Sequence, residues 1–300
     1  MPALLPPLPY TLHTRYRSIA IAWTIIIIPP VFINLGLFYG LWYGTQLDRI
    51  LAVLGIFTAL AIIERMYKLT KQSPEFRPLN GSRWALDVFQ WGYFGALILI
   101  SALISSTLAR GDADHDEHEL QTRLVSLPAA VLMFFLATLT LLSLILNMTG
   151  IKLPFRFGSV GKRNVLRPAV YYIVEDVVAV DGDGRIAYRA AFSERYENSE
   201  VFRNMIWTLS VVWMLAFYVL SGGVAALVWG LPKEAVYAVG WAGPFPMAGL
   251  LALWTIFYVR RVLQVEGKGE EDRVEGQNEG GNDERAPLLG NRGQGIDRAM

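Results

Sequence analysis

Residues 204–232 read NMIWTLSVVWMLAFYVLSGGVAALVWGLP, twenty-nine positions without one Asp, Glu, Lys or Arg. A bilayer core asks for about 20 consecutive apolar residues in a helix, and this stretch exceeds that with an aromatic residue near each end. Five further charge-free stretches accompany it: Ser18–Leu47, Ile50–Ile63, Val88–Ala109, Leu124–Ile151 and Ala235–Val259. Together the six hold 148 of the 300 residues, in a chain that is 53% hydrophobic and 18% charged. A soluble domain carries about one quarter charged residues, spread more evenly. The pattern excludes a soluble globular enzyme, a nucleic-acid-binding domain and a disordered chain. It predicts an all-α, polytopic membrane protein, a six-helix transmembrane bundle.

The charges outside these stretches set the orientation. With both termini in the cytosol, the cytosolic segments collect 23 Lys and Arg residues and the opposite side keeps four: Arg49, Arg110, Arg123 and Lys233. Such an excess follows the positive-inside tendency of membrane proteins. The expected organisation is a cytosolic N-terminus at 1–17, a membrane domain at 18–262, and a disordered cytosolic tail at 263–300. The spans fall at about 18–43, 47–66, 85–108, 124–147, 204–229 and 238–260, around a cytosolic loop at 148–203. The second span is the weakest. Its charge-free part has 14 residues, and a re-entrant or interfacial segment is the alternative. Trp42, Tyr43, Trp84, Trp207 and Trp229 sit at expected span ends, where their rings favour the headgroup layer.

Absent chemistry narrows the function. There is no cysteine, so disulfides, thiol catalysis and cysteine-held metals are excluded. The three histidines, His13, His115 and His118, all lie outside the apolar stretches, which rules out haem held by paired intramembrane histidines. No cofactor is expected. A net charge of +1 predicts no nucleic-acid partner. The weak metal candidates are Asp114, His115, Asp116 and His118 in an acidic outer loop. They match no known ligand spacing, and a solvated acidic turn is the simpler reading.

Within the spans, Pro29 and Pro30 predict a kink, because proline removes a backbone donor and clashes one turn back. Gly36, Gly40 and Gly44 line one helix face at four-residue spacing and permit close helix packing. A homo-oligomer would fit that seam, but packing inside the bundle is the simpler reading, since six spans offer many internal partners. Gly92, Gly95, Gly222, Gly223, Gly240, Gly243 and Gly249 extend the expectation of tight packing. Gly243, Pro244 and Pro246 should break the sixth span. Asp87, with Gln90 one turn on, is the best intramembrane polar candidate. An interfacial Arg83–Asp87 pair at i, i+4 is the simpler account, and a proton or ion relay the alternative.

The loop at 148–203 opens with a basic run, Lys152 to Arg167. Gly161-Lys162 lacks the upstream glycine of a phosphate-binding loop, and Arg163 stands where that motif has Ser or Thr. Val170, Ile173, Val174, Val177 and Val178 recur at helical spacing after Pro168, which predicts an amphipathic helix with Glu175 and Asp176 on its solvated side, though the valine content also permits a strand. Further on, Tyr188, Phe192, Tyr196, Phe202 and Ile206 share one face of a continuous helix over 186–206. Arg195 and Arg203 fall within that apolar arc. The expectation is an interfacial helix whose arginine stems lie in the lipid and whose guanidinium groups reach phosphates. Packing of the same face on the preceding valine-rich helix is the alternative.

The run RPAVYYIVEDVVAVDG at residues 167–182 resembles a segment in multi-pass membrane proteins of filamentous fungi. That resemblance covers the loop and the adjoining fifth span. It implies a fungal setting and no particular activity. In the tail, Glu284, Leu288 and Leu289 resemble the acidic dileucine sorting signal read by adaptor complexes. The signal predicts an endomembrane location, vacuolar or late endosomal, with the plasma membrane as the alternative. Taken together, the sequence points to a non-enzymatic packing, tethering or regulatory membrane protein whose main partner is the lipid bilayer. A transporter or channel for a small neutral solute is the first alternative. A membrane-embedded lipid-modifying enzyme is the second.

Overall fold

The computed structural model describes residues 74–79, 81, 87–108 and 115–283, with backbone alone at 74, 105, 108, 115–118 and 268–283. The first two expected spans, the kink at Pro29 and Pro30, and the Gly36, Gly40, Gly44 seam lie outside the described residues. So do Arg83, Asp114, the side chains of His115, Asp116 and His118, and the Glu284, Leu288, Leu289 signal.

Among the described residues a 3-10 turn at Pro74–Phe76 precedes eight α-helices: α1 (Val88–Leu108), α2 (His115–Val125), α3 (Pro128–Met148), α4 (Ala169–Asp176), α5 (Arg185–Asn198), α6 (Glu200–Gly230), α7 (Lys233–Ala242) and α8 (Pro244–Asp283). No strand forms among the described residues. Two isolated antiparallel bridges, Lys152 to Val165 and Phe157 to Val160, fold the 151–165 segment into a hairpin. Among the described residues three helical stretches are long and apolar enough to cross a membrane: Pro128–Met148, Glu200–Gly230 and the run Lys233–Gly267. The described apolar part of α1, Val88–Ile104, is shorter.

Local chemistry sets the helix ends. Pro128 opens α3 at a position where its missing N–H is no loss. Gly150 follows that helix in the left-handed region, at φ 66°, which a glycine adopts without strain. The Ser199 hydroxyl accepts the Phe202 N–H at 3.1 Å and caps α6. Extended backbone at Ser199 (φ −109°, ψ 119°) also separates α5 from α6. Residues 186–206 are therefore two helices, not the single one that periodicity predicts. The break at Gly243 before Pro244 divides α7 from α8 as expected. Beyond the apolar stretch α8 runs on to Asp283, farther than composition predicts. Once formed, a helix adds one hydrogen bond per residue without renewed nucleation, so polar sequence can continue it.

Two cores organise the packing. At one end of α3 and α6, Ala130, Met133, Val224, Val228 and Val236 pack together. There the Ser221 hydroxyl donates to the Ala130 carbonyl at 2.8 Å. A Cβ at Gly240 would lie 2.0 Å from the Ser126 carbonyl oxygen, so α7 approaches the α2–α3 junction as only glycine allows. Gly95 likewise faces the Phe135 ring. Gly92, Gly222, Gly223 and Gly249 face open space among the described residues. Along the helices Phe134, Leu142, Val219, Leu250 and Phe257 are exposed, as side chains solvated by lipid would be.

The second core lies at the opposite end, under the 151–198 segment. Tyr171, Tyr172, Tyr188, Phe192, Phe202, Met205, Ile206 and Leu209 form it with Val160 and Leu166. Phe192 sits among Tyr171 at 4.9 Å, Tyr188 at 5.3 Å and Phe202 at 5.3 Å between ring centroids. This corrects the interfacial-helix expectation: the face of Tyr188, Phe192, Tyr196 and Phe202 packs inside the protein, against α4. Both arginines find protein partners. Arg195 pairs with Glu266 and lies over the Phe202 ring at 5.5 Å. Arg203 donates to the Tyr196 and Glu197 carbonyls at 3.2 and 2.8 Å, covering the end of α5. Helix-end carbonyls and a carboxylate thus do the work that lipid phosphates were expected to do.

Candidate functional site

The valine positions of α4 mislead. Its buried side carries Tyr171, Tyr172, Glu175 and Asp176, and continues through Ala179 and Val180. Ile173 is exposed, and Val170, Val174, Val177 and Val178 are only partly buried. Glu175 and Asp176 are 0% and 1% exposed, so they do not lie on a solvated face. The helix ends in a π-turn, Val177–Asp181, closed by the Gly182 N–H on the Val177 carbonyl at 2.9 Å. Single π-turns recur at functional sites.

The two carboxylates meet Arg189 of α5, itself 0% exposed. Its Nη1 lies 2.6 Å from Asp176 Oδ1 and 3.3 Å from Glu175 Oε1. Nη2 donates to the Phe76 carbonyl at 3.4 Å. The second oxygen of Asp176, Oδ2, accepts the Phe89 N–H of α1 at 3.0 Å. Asp87 caps α1 through its Oδ1, which accepts the Gln90 N–H at 2.8 Å. Asp87 and Gln90 are both wholly buried. The expected Arg83 partner is outside the described residues, and Asp176 and Arg189 are among the charged groups that Asp87 acts on.

Arg189 therefore stands among three carboxyl groups, those of Asp87, Glu175 and Asp176. Neither amide atom of Gln90, nor Nε of Arg189, has a hydrogen-bond partner among the described residues. Full ionisation here is opposed by desolvation. Burial pushes the Asp176 carboxyl up, Asp87 adds repulsion, and Arg189 offsets only part, leaving it at about 7. Burial also raises Glu175, against the pull of Arg189 and Ser159. For Arg189, burial works against the charge, but Asp176 and Glu175 outweigh it and hold the guanidinium above its ordinary range.

The sign of the pH dependence follows. Between about pH 4 and about 7 the folded cluster holds a proton that the unfolded Asp176 has released. Stability is then highest at the acid end and falls as pH rises through that window. The full chain in detergent should unfold more readily at about pH 8 than at about pH 5, by on the order of 2–4 kcal/mol. Asp176→Asn should flatten that slope in a thermal or denaturant titration. A slope unchanged by the substitution would exclude this carboxyl as its source.

A second constellation flanks the first. Arg167 lies over the Tyr171 and Tyr196 rings, at 4.5 and 4.8 Å, and bonds Ser193 at 3.1 Å and Glu197 at 2.7 Å. Arg185 ties Glu75 at 2.8 Å to Asp183 at 3.0 Å. Arg189 and Arg185 together hold the 74–76 turn against α5. Among the described residues no group of three or more His, Asp or Glu is placed to hold a metal ion.

Sequence reasoning singled out Asp87 and Gln90, dismissed Glu175 and Asp176, and missed Arg189. A usable signal was present: Tyr171, Glu175 and Ala179, and Tyr172, Asp176 and Val180, each recur at i, i+4, i+8. Arg189 stands beside Tyr188 on the aromatic side of α5.

Helices long and apolar enough to cross a membrane, with exposed apolar side chains along them, define a helical, membrane-integral protein. Residues 1–269 match the family described as a domain of unknown function (DUF8766), and the chain belongs to that family. No curated protein and no solved structure matches it.

Proposed function

We propose that this is a non-enzymatic membrane protein with a regulatory or tethering role, exerted by the 148–203 segment docked on the end of the helical bundle. The observation that carries the reading is Arg189, buried between Asp176 and Glu175 while Asp176 also bonds the first turn of α1. A buried ionic cluster adds little net stability compared with apolar packing, but it specifies one docked arrangement and is sensitive to proton binding. Six spans, at the positions given above, with both termini and this segment in the cytosol, complete the proposal. The Lys and Arg distribution supports that topology. The Glu284, Leu288, Leu289 pattern supports a vacuolar or late endosomal membrane and an adaptor complex as partner. The likeness of residues 167–182 to fungal multi-pass proteins supports a fungal setting.

One observation favours transport as a second reading: the buried carboxyls of Asp87, Glu175 and Asp176 lie near a Gln90 amide that has no hydrogen-bond partner among the described residues, a polar group suited to a proton-coupled carrier. Liposomes loaded with a pH-sensitive dye separate the two. The reconstituted full chain should leave an imposed proton gradient as it is in empty liposomes. A proton flux that Asp176→Asn abolishes would replace the docking role with transport.

A further inference from the structure

The hairpin that follows α3 has two unlike sides. Leu153, Phe157, Val160 and Leu166 point into the core under α4. Its tip is fixed there: a Cβ at Gly158 would meet Val88 at 2.9 Å and Tyr172 at 3.3 Å. The outer side is apolar and cationic at once. Phe155 and Ile151 are 56% and 51% exposed, and Met148 just before them is 72% exposed. Lys152, Lys162 and Arg163 are exposed beside them, with no ion-pair partner among the described residues. The backbone holds these groups together, since the Leu153 N–H bonds the Asn164 carbonyl at 3.2 Å and the Arg163 N–H bonds the Leu153 carbonyl at 2.8 Å. No acidic residue occurs from 152 to 167.

Next to this side opens a cavity of about 550 Å³ lined by Asn147, Asn164, Arg167, Tyr196, Glu197 and Arg203 among others. Glu197 balances Arg167. Among the described residues Arg203 is engaged by carbonyls, which leave its charge uncancelled. Depth follows from the helices. Asn147 belongs to the last turn of α3 and Arg203 to the first turn of α6, and both helices are candidate spans. The cavity therefore sits where two apolar helices leave the hydrocarbon, at headgroup level. Exposed aromatic and aliphatic side chains there suit the interface, and clustered cations suit anionic headgroups.

We propose that this cavity and the outer side of the 151–165 hairpin bind the phosphate-bearing headgroup of an anionic lipid from the same membrane. Arg203 and the three exposed cations supply the charge, Asn147 and Asn164 supply polar contacts, and Phe155 and Ile151 enter the acyl boundary. The lipid contact expected of the 186–206 face is thereby assigned to a different segment. This reading does not depend on the docking role of Arg189.

The test uses the full chain in nanodiscs of phosphatidylcholine with about one fifth phosphatidylserine. After transfer to detergent, native mass spectrometry reads which lipid stays bound. Wild type should retain phosphatidylserine over phosphatidylcholine. Lys152→Gln, Lys162→Gln and Arg163→Asn are combined in one variant, with asparagine chosen because Arg163 has φ 67°. These side chains bear no described structural contacts, so the variant should keep the wild-type melting temperature. It should lose the preference on the order of a hundred-fold, at about fivefold per near-surface cation. Equal retention by variant and wild type would overturn the proposal. So would displacement of the lipid by inorganic phosphate at equal concentration, which would make the site one for a soluble anion. As an independent arm, Phe155→Cys creates the sole cysteine in the chain. A solvatochromic label there should report an apolar boundary in the nanodisc, and a fully aqueous signal would contradict it.

Discussion

Arg189→Gln should destabilise the docked 148–203 segment by about 3–5 kcal/mol near pH 8, the effect of leaving buried carboxylates without their cation. The residue is wholly buried and contacts Asp176 at 2.6 Å and Glu175 at 3.3 Å. Because Asp176 holds a proton up to about pH 7, the penalty should shrink towards acid pH, where fewer charges are stranded. Thermal melts of the detergent-solubilised chain at several pH values measure both effects. Limited proteolysis at the Asp181–Gly184 turn offers a second readout, since the turn should become cleavable as the segment lifts. A penalty independent of pH would mean that the guanidinium acts only as a packing group.

Phe192→Ala should cost about 3–5 kcal/mol, as truncation of a fully packed aromatic residue does. Phe192 is 2% exposed and touches rings from α4, α5 and α6. The same substitution on a lipid-facing helix would change stability little, because lipid fills the space that the ring leaves. Chemical denaturation in detergent reads the difference. A loss below about 1 kcal/mol would return the Tyr188, Phe192, Phe202 face to the membrane surface.

The described apolar helices were legible in the sequence because lipid solvation leaves one signal, long runs without charge. Pro128–Met148 lies within the charge-free stretch Leu124–Ile151, and Glu200–Gly230 overlaps the charge-free stretch at 204–232. The cytosolic segment was harder, for a physical reason. Its helices bury polar and aromatic side chains together, so hydrophobic periodicity points to the wrong face of α4. Valine is a poor marker there: Val174 and Val178 only rim the core, while Tyr171 and Tyr172 fill it. An arginine within an aromatic arc read as a lipid contact, yet Arg195 and Arg203 answer to Glu266 and to helix-end carbonyls. Such partners lie 71 residues away or on the backbone, where sequence spacing carries no trace of them. Arg189 is the same case. Its partners are a carboxylate 13 residues before it and a carbonyl 113 residues before it.

Hydrogen exchange on the full chain tests the docking most directly. The Phe89 N–H of α1 is held by the Asp176 carboxylate of α4, so α1 and α4 should open as one unit if Arg189 organises the cluster. In wild type, the start of α1 and residues 169–181 should exchange slowly and with matched protection. In Arg189→Gln both should lose protection together, and Asp176→Asn should release the Phe89 amide. Unchanged protection at the start of α1 in Arg189→Gln, with exchange altered only within α5, would contradict the account.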